Sequence, residues 1–229
     1  LRMDGRSLWM ILRIGLPAGL QSAVFAISNI VIQSAINSLG KVVMAASSAA
    51  CNIEVFAYDV MNSYNQACTT FVGQNYGAGQ IRRCRKTLYL CLIEDAVSLG
   101  ATVALVLLTG HFLLSIFNND PQVIALGYDR LKIVFFAYIF SLLYEVMSGY
   151  LRGFGISLVP AALTAFGVCG IRIAWIHFVF PQHPTLQTIM TSYPVSLSAT
   201  ALMIFIALLC YRPARKHAAM EREPAPAGK

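Results

Sequence analysis

Apolar residues in this chain come in long runs, not in alternation. Six stretches are long enough to cross a hydrocarbon core, which takes about 20 helical residues. They are Gly15–Leu39, Val42–Gly73, Thr87–Thr109, Gln122–Leu151, Leu158–Phe180 and Thr188–Tyr211. Each is too long and too continuously apolar for the alternating strands of a membrane barrel, so the pattern predicts helices throughout. The punctuation agrees. Pro17 and Pro160 fall near span starts, and Asp120-Pro121 reads as an N-cap followed by proline at the first helical position. The expected fold class is an all-α membrane protein whose six transmembrane helices form one lobe.

Polar residues interrupt the runs at helical spacing. In the second span Glu54, Tyr58, Asn62, Gln66 and Thr69 recur every three or four residues and predict one polar stripe, while Asp59 falls about 140° away. In the first span Gln21, Asn29, Gln33 and Asn37 share a stripe that Phe25 interrupts, and in the fourth Ser141, Glu145, Ser148 and Arg152 line up. Such stripes either hydrogen-bond neighbouring helices or line a polar path through the lobe.

Composition narrows the class. The 229 residues are 57% hydrophobic and 12% charged, where a soluble domain carries about 25% charged residues. That excludes a typical soluble enzyme, a disordered chain and a nucleic-acid-binding module. The net charge of +7 sits between the runs and at the ends. Thirteen Lys and Arg fall on one side of the six-span arrangement. Three, Lys41, Arg130 and Lys132, fall on the other, and Arg172 lies inside a span. The positive-inside rule then predicts a multi-pass inner-membrane protein with both ends of the chain cytoplasmic. The six cysteines include no C-x-x-C pair and read as buried apolar groups.

Residues 1–14 are expected to form an interfacial linker from a preceding lobe, or else an extension of the first span. Residues 15–211 form the lobe, and 212–229 a disordered basic cytoplasmic tail. The chain begins at Leu1 with no cleavage pattern, which predicts a natural start further upstream.

Ionisable groups inside a bilayer are costly and mark function or pairing. Glu54 and Glu145 lie deep in their spans and are the candidates for cation or proton coupling. Arg172 is expected as a structural counter-ion for one of them. Gln21, Asn29, Gln33, Tyr58, Asn62, Gln66 and Ser141 are expected to line a substrate cleft. Glu94 and Asp95 sit near the cytoplasmic end of the third span, within reach of water or of Arg85 and Lys86. His177 and His183 lack a third ligand, so no metal site is expected. With no nucleophile motif, phosphate loop or H-E-x-x-H, the reading is not an enzyme.

Several segments resemble the C-terminal half of bacterial multidrug and toxic compound extrusion (MATE) transporters. They are Gly15-Leu16-Pro17-Ala18-Gly19-Leu20-Gln21, Ala50-Cys51-Asn52-Ile53-Glu54, Gly73-Gln74-Asn75-Tyr76-Gly77-Ala78-Gly79 and Leu151-Arg152-Gly153-Phe154-Gly155. Further along come Gly170-Ile171-Arg172 with Trp175-Ile176, Phe180-Pro181-Gln182 and Ser192-Tyr193-Pro194-Val195-Ser196. The resemblance implies one lobe of a twelve-helix, two-lobe transporter that exports drugs and organic cations against inward Na⁺ or H⁺ and needs no cofactor. Its partners would be membrane lipids and a missing N-terminal six-helix lobe, with no nucleic acid. It places Glu145 where family members use a carboxylate, and Phe25 where some carry a second Glu. Two alternatives stay open: a lipid or polysaccharide-precursor flippase of the same superfamily, and a homodimeric six-helix half-transporter. The presence of a single Arg within the spans argues against strongly anionic cargo. Gly73, Gly77, Gly79, Gly153 and Gly155 are expected to loosen the cytoplasmic turns.

Overall fold

The computed structural model describes residues 5–213. Six helices follow one another: α1 (Gly5–Ser38), α2 (Lys41–Gly77), α3 (Ile81–Ser115), α4 (Pro121–Gly153), α5 (Leu158–Phe178) and α6 (Leu186–Tyr211). No strand occurs among the described residues. Five of the helices are long and apolar enough to cross a membrane. The sixth, α2, has the length, at 37 residues, and carries the polar stripe. The outer surface is what lipid requires: Leu108, Phe56, Val97 and Phe112 stand exposed.

The helices outrun the apolar stretches. α3 begins at Ile81, so Arg82, Arg83, Arg85 and Lys86 belong to its first turns. Residues 5–14 continue α1 without a break. Residues 1–4 and nearly all of the expected tail, 214–229, lie outside the described residues.

α4 sits at the centre. It packs on α2, α3 and α6, while α1 leans chiefly on α5. The α2–α4 approach is closest at Gly149 and Gly153, spaced as the small-xxx-small pairs that let membrane helices meet at backbone distance. A Cβ on Gly149 would stand 2.6 Å from the Asn65 carbonyl, and one on Gly153 would stand 2.6 Å from Val72 Cβ. Gly73 faces Gly153 across the same seam. Gly73 and Gly153 therefore lie inside helices as packing positions, not in loosened turns.

The turns proper are made elsewhere. At the end of α4, Gly155 N–H donates to Arg152 O at 2.8 Å and Ile156 N–H to Leu151 O at 3.0 Å, with Gly155 at φ +79°. This is the pattern that satisfies orphan carbonyls at a helix C-terminus and favours glycine. At the start of α4, Asp120 caps the helix by accepting from Gln122 N at 2.9 Å, as its place before Pro121 predicts.

The last two helices are irregular where they meet the interior. α5 contains a π-helical segment over Ala165–Gly170, and α6 carries Pro194 in its body. π-bulges are frequent at functional sites, and internal prolines are a usual cause of helix kinks.

Candidate functional site

A cleft of about 710 Å³ opens among α1, α2, α4, α5 and α6. Of the residues singled out from sequence, Gln21, Asn29, Gln33, Tyr58, Asn62, Ser141, Glu54, Glu145 and Arg172 all line it. Gln66 does not; it is exposed elsewhere on α2, and Asn65 takes its place in the lining. The reason is angular. Eleven residues make about three turns, so Asn65 returns to the face of Glu54, whereas twelve residues carry Gln66 about 120° beyond it. Phe25 also lines the cleft and presents an aromatic ring there instead of a carboxylate.

The two deep acids differ in their partners. Glu54 is held by Arg130 in a two-pronged pair, with Nε to Oε1 at 2.6 Å and Nη2 to Oε2 at 2.8 Å. Arg130 also donates to Ser47 and, at 3.0 Å, to Cys51 Sγ. Both side chains of the ion pair are removed from solvent, at 2% and 8% exposure. A fork-to-fork guanidinium–carboxylate contact is the strongest form this pairing takes.

Arg130 is thus a lining residue of the cleft and not part of the outer flank with Lys41 and Lys132. Two residues further along, Lys132 points outward and pairs with Asp129 at 2.7 Å. Arg172 is not the counter-ion of Glu54. Its Nε donates to Ser196 Oγ at 3.0 Å, and its guanidinium lies 4.0 Å above the Tyr193 ring, an arrangement that holds a cation without a carboxylate. Val168, in the π-helical segment, and Arg172, just after it, line the cleft together with Tyr193 and Leu197, on either side of Pro194.

Glu145 has a different setting. It is 5% exposed on the central helix, and Asn65 Nδ2 donates to its Oε2 at 2.5 Å. Among the described residues no Lys or Arg lies within ion-pair distance of it. Arg152, on the cleft wall one stripe position beyond Ser148, acts on it through space. The cleft therefore carries three guanidiniums, Arg130, Arg152 and Arg172, against two carboxylates. That removes the objection to anionic cargo drawn from a single intramembrane Arg.

The adjacent acids of α3 also part company. Glu94 is exposed, but Asp95 is fully buried and among the described residues neither of its oxygens has a hydrogen-bond partner. The expected reach to water or to Arg85 and Lys86 does not hold for Asp95, because position 95 lies on the face that α3 turns to α2 and α4. Among the described residues, His, Cys, Asp and Glu form no group of three or more that could hold a metal.

Comparison with known proteins places this architecture. A family model described as MatE matches residues 17–176. The chain is 22% identical over 207 residues to the probable multidrug resistance protein YoeA of Bacillus subtilis (strain 168), covering 90% of this chain and 44% of that one. It is 29% identical over 243 residues to the multidrug resistance protein PmpM of Pseudomonas aeruginosa, covering 98% and 48% respectively. Among solved structures, it superimposes on an outward-facing multidrug resistance MATE family transporter of the MOP superfamily with a TM-score of 0.81 at 18% identity, covering 96% of this chain and 49% of that one. A MATE crystal structure in complex with MaL6 gives a TM-score of 0.80 at 17% identity, covering 97% and 50%. The chain spans about half the length of the relatives it matches. With the family model covering more than half of its residues, the chain belongs to the MatE family, a family of membrane transporters and not of enzymes.

Proposed function

We propose that the chain is the C-terminal lobe of a secondary active antiporter that exports drugs and organic cations across the inner membrane in exchange for Na⁺ or H⁺, with both ends of the lobe cytoplasmic. The observation that carries this reading is Glu145, a buried acid on the central helix that faces the cleft with no Lys or Arg within ion-pair distance among the described residues. Such a group either holds a proton or attracts a cation. Coupling ion and cationic cargo would compete for it, and a competition that depends on which way the cleft faces is sufficient for antiport.

Glu54 fits a structural part better, because Arg130 already neutralises it. Phe25, Tyr58, Tyr138, Tyr144 and Tyr193 give the cleft aromatic walls suited to flat organic cations. The multidrug resistance names of YoeA and PmpM support the cargo class. The opposite wall would come from a second lobe. No cofactor takes part; the ion gradient supplies the energy.

A flippase of the same superfamily is the second reading, favoured by the three guanidiniums of the cleft. Ethidium efflux from proteoliposomes under an imposed pH or Na⁺ gradient separates the cases. A two-lobe transporter containing this lobe is expected to export ethidium, and Glu145→Gln to lower the coupled rate. Unchanged efflux in that variant under both gradients would take Glu145 out of the mechanism. The lobe by itself is expected not to export; robust efflux by the lobe alone would favour the homodimer instead.

A further inference from the structure

A second buried acid lies behind the cleft, in the seam where α2, α3 and α4 meet. Asp95 is 0% exposed, and among the described residues neither carboxyl oxygen has a hydrogen-bond partner. It is bracketed on its own face of α3 by Cys91, one turn before, and by Ser98, whose hydroxyl shares a 2.7 Å hydrogen bond with Tyr64 of α2. Cys91 in turn packs in one cluster with Cys68 of α2 and Val146 and Tyr150 of α4. The seam holds other orphaned oxygens. Asn65 Oδ1 and Ser148 Oγ are both buried without a partner, although the other end of Asn65 is bound to Glu145.

A carboxyl group in such a place favours its neutral form. Removing an unpaired charge from water costs far more than the stability of a domain, and the group neutralises instead. The titratable groups around it offer no compensation. They are Tyr64 and Cys68 on α2, Glu145 and Tyr150 on α4, and Cys91 with the exposed Glu94 on α3 itself. Among the described residues the one charged group that acts on Asp95 is Glu145, which has the same sign.

We propose that Asp95 is a second proton-carrying acid of the lobe, held neutral in the α2–α3–α4 seam next to the Asn65–Glu145 hydrogen bond. The ligand is a proton and not a metal cation, because among the described residues Asp95 belongs to no group of His, Cys, Asp or Glu that could replace the oxygen shell of a hard cation. Asp95 then stores a proton that the cleft can draw on when Glu145 is deprotonated. This purpose rests on the coupled-transport reading; the protonation state itself does not.

Infrared spectroscopy of the 229-residue chain in lipid nanodiscs tests it, by following the carbonyl stretch of protonated carboxyl groups at neutral pH in water and in D₂O. In a Glu145→Gln background, which removes the other buried acid, the chain is expected to show a protonated-carboxyl band that a further Asp95→Asn removes and that Asp95→Glu moves in frequency. Saturating NaCl should leave the band unchanged. The asparagine variant should fold with the wild-type circular dichroism, since it resembles the neutral acid. Absence of the band from the Glu145→Gln chain overturns the proposal, and so does its removal by Na⁺ or its persistence in the folded Glu145→Gln/Asp95→Asn chain. Because no transport is measured, failure of the Glu145 efflux test leaves this result standing.

Discussion

Replacing Arg130 by methionine removes the cation from the Glu54 pair while keeping an unbranched apolar side chain in its place. The pair is close, at 2.6 Å, and both partners are almost wholly buried. At an effective dielectric of about 20, charges at that separation attract by roughly 6 kcal/mol. Most of this offsets the cost of taking both groups out of water, so the net worth of the intact pair is small. Deleting one partner is another matter. It leaves the Glu54 carboxylate stranded, and Arg130→Met is expected to cost about 3–5 kcal/mol. Glu54→Gln should cost a similar amount, since it strands a guanidinium whose remaining hydrogen bonds go to Ser47 and Cys51. The double variant should recover most of the loss, because neither charge is then left alone. The assay is reversible unfolding in mixed detergent micelles, followed by circular dichroism, for all four members of the cycle. If each single variant changes stability by less than about 0.5 kcal/mol, the range of an ordinary surface substitution, or if the two effects simply add, the buried ion pair is not what the structure describes.

Gly149→Ala and Gly153→Ala should each destabilise by about 1–3 kcal/mol through overpacking of the α2–α4 seam. Gly100→Ala, whose Cβ would meet nothing within 4 Å, serves as the control in the same unfolding assay. Equal effects at all three positions would deny the close approach. Asp120→Ala should cost about 1 kcal/mol by leaving the first turn of α4 uncapped. An unchanged unfolding midpoint would show that the cap contributes nothing.

The span pattern and most of the cleft were legible because apolar runs and stripes record lipid exposure and helical phase directly. What escaped was phase over longer distances. Read back three turns from Ser141, the stripe of α4 passes through Tyr138 and Val134 to Arg130, so the cation belonged to the buried face by spacing. Its position near the start of a span, beside Lys132, made it resemble flanking charge. The same eleven-residue rule relates Glu54 to Asn65, and counting only by fours slid the stripe to Gln66. Gly149 and Gly153 carried a readable packing signal that was masked by their nearness to a turn. Asp95 and Glu94 are adjacent in sequence and look equivalent. Only the packing of α3 against two neighbours turns one inward and leaves the other outside.

The account depends on a water-filled cleft inside a lipid-dissolved lobe, and thiol accessibility tests this most directly. In a cysteine-free version of the chain in liposomes, a membrane-impermeant maleimide should label Asn62→Cys, on the cleft wall, and leave Leu108→Cys, 85% exposed on the outer face of α3, unreacted in lipid. Labelling of Leu108→Cys with Asn62→Cys protected would reverse inside and outside and contradict the account.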